Sequence, residues 1–173
     1  MEKKRKSDWG KEIVEYAQSR MKLSKFNVLV GFQVERLSEG GAILAMTVQD
    51  HHRQIHGVVH GGVTAALADT AGAFAAYTVA PKGVELATIE LKINYLLPIA
   101  AGKVMAEGKV LRAGRNFIVV ECDVRNEQGD AVAKALMTFG ANAVRPLHGT
   151  SKVPRMNGPV RRQKKSFRKI RGK

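Results

Sequence analysis

Between a pair of glycines and a proline lies the stretch Gly61-Gly-Val-Thr-Ala-Ala-Leu-Ala-Asp69-Thr-Ala-Gly-Ala-Phe-Ala-Ala-Tyr77-Thr-Val79, small and apolar apart from one carboxylate. Its alanine-rich composition predicts a helix from Gly61 or Gly62 to about Val79, ended by Pro81-Lys82-Gly83. A helix that is apolar on nearly every side is a buried one. The rest of the chain must therefore wrap it, and a single small sheet covers only part of such a surface.

Asp69 sits two turns inside this helix. A carboxylate there is costly to desolvate without a partner or a task. The free N–H groups of a helix N-terminus, here at Gly61 and Gly62, suit an anion. An oxyanion site with a carboxylate nearby is the apparatus of acyl transfer. The competing assignment for Asp69 is a buried acid that caps a loop or pairs with an arginine. The competing assignment for the glycines is close packing alone.

The flanking segments predict an antiparallel sheet. Residues 8–21 carry Trp9, Ile13, Tyr16, Ala17 and Met21 at helical spacing after an Asp8 cap. Alternation from Phe26 to Arg36 predicts a strand, Glu39-Gly40-Gly41 a turn, and residues 42–48 the second arm of a hairpin. His51 to Val59 reads as a polar loop. Strands are expected over 86–97, 102–112, 116–125 and 131–143. The last is assigned against the helix propensity of its alanines, because a Glu-Gln-Gly-Asp turn precedes it. Helix, hairpin, long buried helix and meander make an α+β fold, one antiparallel sheet wrapped around a central helix and completed by dimerisation.

With 173 residues and 45% apolar content the chain fits one globular domain, and no apolar run is long enough to cross a bilayer. No hydrophobic region follows the charged Met1–Lys6, so no secretory signal is read and a cytoplasmic location is expected. Cys122 is the single cysteine, which excludes an intramolecular disulfide and any multi-cysteine metal site. The net charge of +14 is localised: residues 151–173 hold ten Lys/Arg and no acid, and residues 1–6 carry +3. The segment 7–150 carries only +1. Residues 1–24 therefore read as a basic N-terminus with an amphipathic helix, 25–145 as the domain, and 146–173 as a basic tail expected to be disordered. Such a tail suits non-specific polyanion contact.

Other chemistries lack their patterns. His56 and His60 are four apart, but Gly57, Gly61 and Gly62 place them before the helix, so no metal site is assigned. No Gly-x-Ser-x-Gly, Walker or dinucleotide glycine motif occurs.

The segments Gly57-Val-Val-His60-Gly61-Gly62-Val-Thr-Ala-Ala-Leu67-Ala-Asp69-Thr70, Thr88-Ile-Glu-Leu-Lys-Ile-Asn94-Tyr95-Leu-Leu-Pro98 and Gly108-Lys-Val-Leu-Arg-Ala-Gly114-Arg115 resemble the hotdog-fold acyl-CoA thioesterases of the phenylacetate (PaaI-like) type. The resemblance covers roughly residues 25–143. It implies that Asp69 is the catalytic carboxylate, as nucleophile or as base for water. It further implies that Gly61 N–H binds the oxyanion and that Gln54 and Thr88 orient the reactants. Gln54 stands where some members have Asn, and Asp69 where some have Glu. His60 is expected to fix the loop or to bond near the thioester. Gly62 is grouped with the substrate-binding residues, as is Tyr77, a candidate for the acyl pocket that could equally be core. Arg112, Gly114 and Arg115 either hold coenzyme A phosphates or form a solvated hairpin. No cofactor is expected, because coenzyme A belongs to the substrate.

Eight residues of helix separate Gly61 from Asp69 by about 12 Å, too far to act on one carbonyl. The pair becomes productive if two helices run antiparallel across a dyad, so composite sites in a homodimer, or a tetramer of such dimers, are expected. The alternative function is a non-catalytic acyl-CoA-binding or nucleic-acid-associated protein that uses the basic tail.

Overall fold

A computed structural model describes residues 11–81 and 84–141, so the expected tail at 146–173 and the basic residues 1–6 lie outside the described residues. The elements in order are α1 (Lys11–Met21), α2 (Lys25–Val30), β1 (Gln33–Ser38), β2 (Gly41–Thr47), a short 3-10 turn (Asp50–His52), α3 (Gly61–Tyr77), β3 (Leu86–Tyr95), β4 (Lys103–Ala113), β5 (Phe117–Arg125) and β6 (Ala131–Ala141). The six strands form one antiparallel sheet in the order β1-β2-β4-β5-β6-β3. The helix α3 lies across this sheet, and the fold is that of the hotdog.

The expected strand from Phe26 to Arg36 is a correction. Its first half is helix α2, and the strand begins only at Gln33. Two local interactions decide this. The Ser24 side chain accepts from the Asn27 N–H at the N-cap, and Gly31, at φ 75°, closes the C-terminus through bonds to the Asn27 and Val28 carbonyls. Alternation over five apolar residues is too short a signal to outweigh two caps. By contrast, β6 is a strand despite its alanines. Pairing on both sides, to β5 and β3, outweighs helix propensity there.

The core is the interface between α3 and the sheet. Leu67, Ala68, Ala71, Gly72, Ala75 and Ala76 of α3 are buried against Leu44, Met46, Val104, Ala106, Val120, Met137 and Phe139. α1 joins the same core through Ala17 and Met21, and its Gln18 Oε1 accepts from the Val34 N–H at 2.6 Å. Small side chains let helix and sheet approach closely. At Gly108 of β4 a Cβ would stand 2.7 Å from the Ala71 carbonyl oxygen and 3.1 Å from the Gly72 nitrogen. The opposite flank of α3 is less covered, with Ala65, Ala66, Asp69, Thr70, Ala73 and Tyr77 only half-buried.

Helix backbone cannot give way as a flexible side chain can. Gly108→Ala is therefore expected to lower stability by about 1–3 kcal/mol. Gly72→Ala, which meets only the mobile end of Met137 and the Phe139 ring edge, should cost less. Denaturant titration of both variants checks the order.

Candidate active site

The loop before α3 is built to present the helix end. Asp50–His52 makes a 3-10 turn, the Gln54 carbonyl accepts from the Gly57 N–H at 2.9 Å, and Gly57 adopts φ 77° to close that turn. His52 is buried, and its carbonyl accepts from the His60 N–H at 2.8 Å. His60 is the N-cap of α3, with Nδ1 accepting from the Gly62 N–H at 2.9 Å. Gly62 has therefore spent its donor within the chain. The Gly61 N–H makes no hydrogen bond among the described residues, which leaves it as the free donor of the first turn.

A cavity of about 400 Å³ opens beside this donor, lined by Gln54, Val58, Val59, Gly61, Thr64, Tyr95, Leu96, Leu97, Pro98, Ile99 and Val132. The walls are mostly apolar, and Gln54, Thr64 and Tyr95 supply the polar side-chain groups. The Gln54 side chain makes no hydrogen bond among the described residues, so its amide is available to a ligand.

Asp69 lies two turns further along α3, half-buried, where its Oδ1 accepts from the Thr88 hydroxyl at 2.7 Å. Burial pushes the Asp69 carboxyl above its ordinary range, and the Thr88 bond, which favours the anion, opposes that shift. No cation pairs with Asp69 among the described residues, so the arginine-pairing alternative is not what the fold builds.

A bulge decides which β3 residue meets Asp69. Tyr95, Ile93 and Leu91 alternate toward the helix, and strict alternation would make Ile89 the next inward residue. The β3–β6 register slips between Thr88 and Glu90, which leaves Ile89 exposed and turns Thr88 inward instead.

The remaining candidates are placed elsewhere. The Tyr77 hydroxyl accepts from the Leu86 N–H at 3.1 Å and donates to Glu85 at 3.3 Å, which ties the end of α3 to the start of β3. Tyr77 does not line the cavity beside Gly61. Arg112, Gly114 and Arg115 are exposed around the β4–β5 turn, and neither arginine has an ion-pair partner among the described residues. The pairings Ala113–Ile118, Ile118–Phe139 and Phe139–Thr88 put this turn three strand spacings, roughly 14 Å, from Thr88 within one chain. No group of three or more His, Cys, Asp or Glu side chains among the described residues could hold a metal.

Tyr95, Leu96, Leu97 and Ile99 are cavity residues that sequence patterning left unassigned. The available signal was a run of large apolar side chains ending at Pro98. Leu96 and Leu97 are 53% and 50% exposed, too open for core positions.

The family profile described as "Thioesterase superfamily" matches residues 56–133, which include Gly61, Asp69 and Thr88. A candidate esterase from Saccharolobus solfataricus is 38% identical over 104 residues, 60% of this chain and 74% of that protein. The proofreading thioesterase EntH of Klebsiella pneumoniae is 30% identical over 121 residues, 70% and 88% of the two chains. Among solved structures, a thioesterase from Haemophilus influenzae superposes with a TM-score of 0.71 at 26% identity, covering 84% of this chain and 97% of its own.

Two outcomes follow from the raised Asp69 pKa. The native state holds the proton to higher pH than the unfolded chain, so the site's contribution to stability is present below the unfolded carboxyl pKa and lost as pH rises through the folded one. Asp69→Asn should raise Tm near neutral pH, with the gain shrinking as pH falls toward about 4. Thr88→Val should raise the Asp69 pKa further, as carbon-detected carboxyl NMR titration would register.

Proposed function

The chain belongs to the thioesterase superfamily, and on that premise we propose that it hydrolyses acyl-coenzyme A thioesters to a free acid and coenzyme A. One observation supports this reading most. A half-buried carboxylate held by Thr88, with no ion-pair partner among the described residues, shares a helix with a Gly61 N–H that makes no hydrogen bond there, and Gly61 lines an apolar cavity. Such a helix offers both the group that attacks or activates water and the donor for the developing oxyanion.

The two groups are about 12 Å apart along one helix, so a single chain cannot apply both to one carbonyl. The half-buried flank of α3 bearing Ala66, Asp69 and Ala73 packs in this reading against the same flank of a second copy, antiparallel across a dyad. Each thioester then meets Gly61 and Gln54 of one protomer and Asp69 of the partner subunit, held by the partner's Thr88. The Gly61 N–H bonds the carbonyl oxygen, and the carbonyl carbon becomes tetrahedral as an oxygen adds. The carbon–sulfur bond then breaks, and the thiolate of coenzyme A leaves and takes up a proton. If Asp69 is the base, the adding oxygen is that of water, whose proton passes to the carboxylate. If Asp69 is the nucleophile, its own oxygen adds first and water cleaves the resulting anhydride. Arg112 and Arg115, cationic and without an ion-pair partner among the described residues, suit the phosphates of a coenzyme A brought within reach in the assembly. Water is the only co-reactant, and the setting is the cytoplasm.

Free-thiol release over a panel of aryl-, short- and medium-chain CoA esters tests the proposal. Asp69→Asn should lower kcat by about 10²- to 10⁴-fold while thioester binding persists. Turnover equal to wild type in that variant would reject the assignment. Mixing inactive Asp69→Asn and Gln54→Ala subunits should restore part of the activity, since one site in a mixed dimer receives both intact residues. Label entering the Asp69 carboxylate in a single turnover in oxygen-18 water would identify it as the nucleophile.

A further inference from the structure

We propose that Tyr95 is a positioning residue of the oxyanion site, the group that holds the Gly61 Cα and carbonyl and so seats the residue whose N–H is the donor. This rests on the hydrolase reading for its kinetic consequence, but its structural basis is independent. The Tyr95 hydroxyl donates to the Gly61 carbonyl oxygen at 3.0 Å. Its ring fills the space a side chain at Gly61 would need: a Cβ there would stand 3.2 Å from Cζ and 3.4 Å from Cε1.

These two contacts explain each other. A side chain at residue 61 would have to push the ring aside, because the ring lies against its Cα. The Gly61 N–H shares a rigid peptide plane with the His60 carbonyl, which accepts from the Val63 N–H at 2.9 Å, so the freedom glycine adds lies at its own Cα and in the peptide that follows. His60 restrains the Gly62 N–H and leaves that of Gly61 unbonded. The phenol adds a restraint on the other side of the residue, by packing on the Cα and holding the carbonyl.

Tyr95 is poorly suited to a purely structural role. It is 54% exposed, and its hydroxyl tip would be satisfied equally well by water. It is the last residue of β3, the same strand that delivers Thr88 to Asp69. One edge strand thus holds both chemical groups of α3, the carboxylate near one end and the amide donor at the other.

Tyr95→Phe keeps the ring and removes only the hydroxyl, so the fold should survive with Tm unchanged. The expected kinetic result is a fall in kcat of about tenfold with KM for the CoA ester held within about twofold, because the lost restraint matters where the oxyanion forms. In ¹H–¹⁵N spectra the Gly61 amide should shift and exchange faster with solvent, while the Asp69 and Thr88 resonances stay in place. A kcat equal to wild type, an unmoved Gly61 amide, or a loss of activity that merely tracks a loss of Tm would each overturn the proposal. Should the wild-type protein release no thiol, the hydrolase reading fails instead, and the Gly61 amide alone decides whether Tyr95 positions it.

Discussion

The close approach of α3 to the sheet is the contact on which the rest of the structure depends. Alanine and glycine bring little apolar area per residue, so a helix made of them gains stability only by lying near enough for continuous packing. Gly108 permits this by leaving the Ala71 carbonyl room against the β4 backbone. The depth of the helix then sets the environment of Asp69. Buried on the sheet side and half-covered on the other, the carboxyl is dry enough for its pKa to rise yet open enough to meet a ligand.

A straight helix imposes a spacing that side chains cannot undo. The Gly61 amide and the Asp69 carboxylate are fixed about 12 Å apart, and no rotamer closes that interval. The fold treats them as two half-sites, each anchored to β3, by Thr88 at one place and Tyr95 at the other. A β-strand with one bulge does this economically, because the extra residue at Ile89 changes which face the following side chains occupy. The apolar cavity belongs to the Gly61 half-site, where Leu96, Leu97 and Ile99 continue the chain beyond the strand.

How far the sequence was legible varied with the kind of signal. The helix, its glycine mouth and its carboxylate were plain, because composition over seventeen residues leaves few alternatives. Three of the later strands could be read from turn residues and alternation, and β6 from the turn before it. The segment after Ser24 could not, since five alternating apolar residues suit a short capped helix as well as a strand. Thr88 stood in a recognisable motif, but no pattern of alternation would have turned it toward Asp69. In the sequence Tyr77, on the helix, reads as a candidate for the acyl pocket, whereas Tyr95, in an expected strand, is given no role. Their hydroxyls find different partners because one lies at the α3–β3 connection and the other beside Gly61.

The sequence by itself determined that a small-residue helix would be buried, that it would carry an acid, and that its first turn would be glycine. Those are properties of residue type and local spacing, which any fold of this chain must respect. Only the tertiary structure decided which amide stayed free, which hydroxyl reached the carboxylate, and which aromatic ring lay against Gly61. Each of those choices depends on strand register and on groups distant in the chain, and a one-residue slip in a strand reverses the face that every side chain presents.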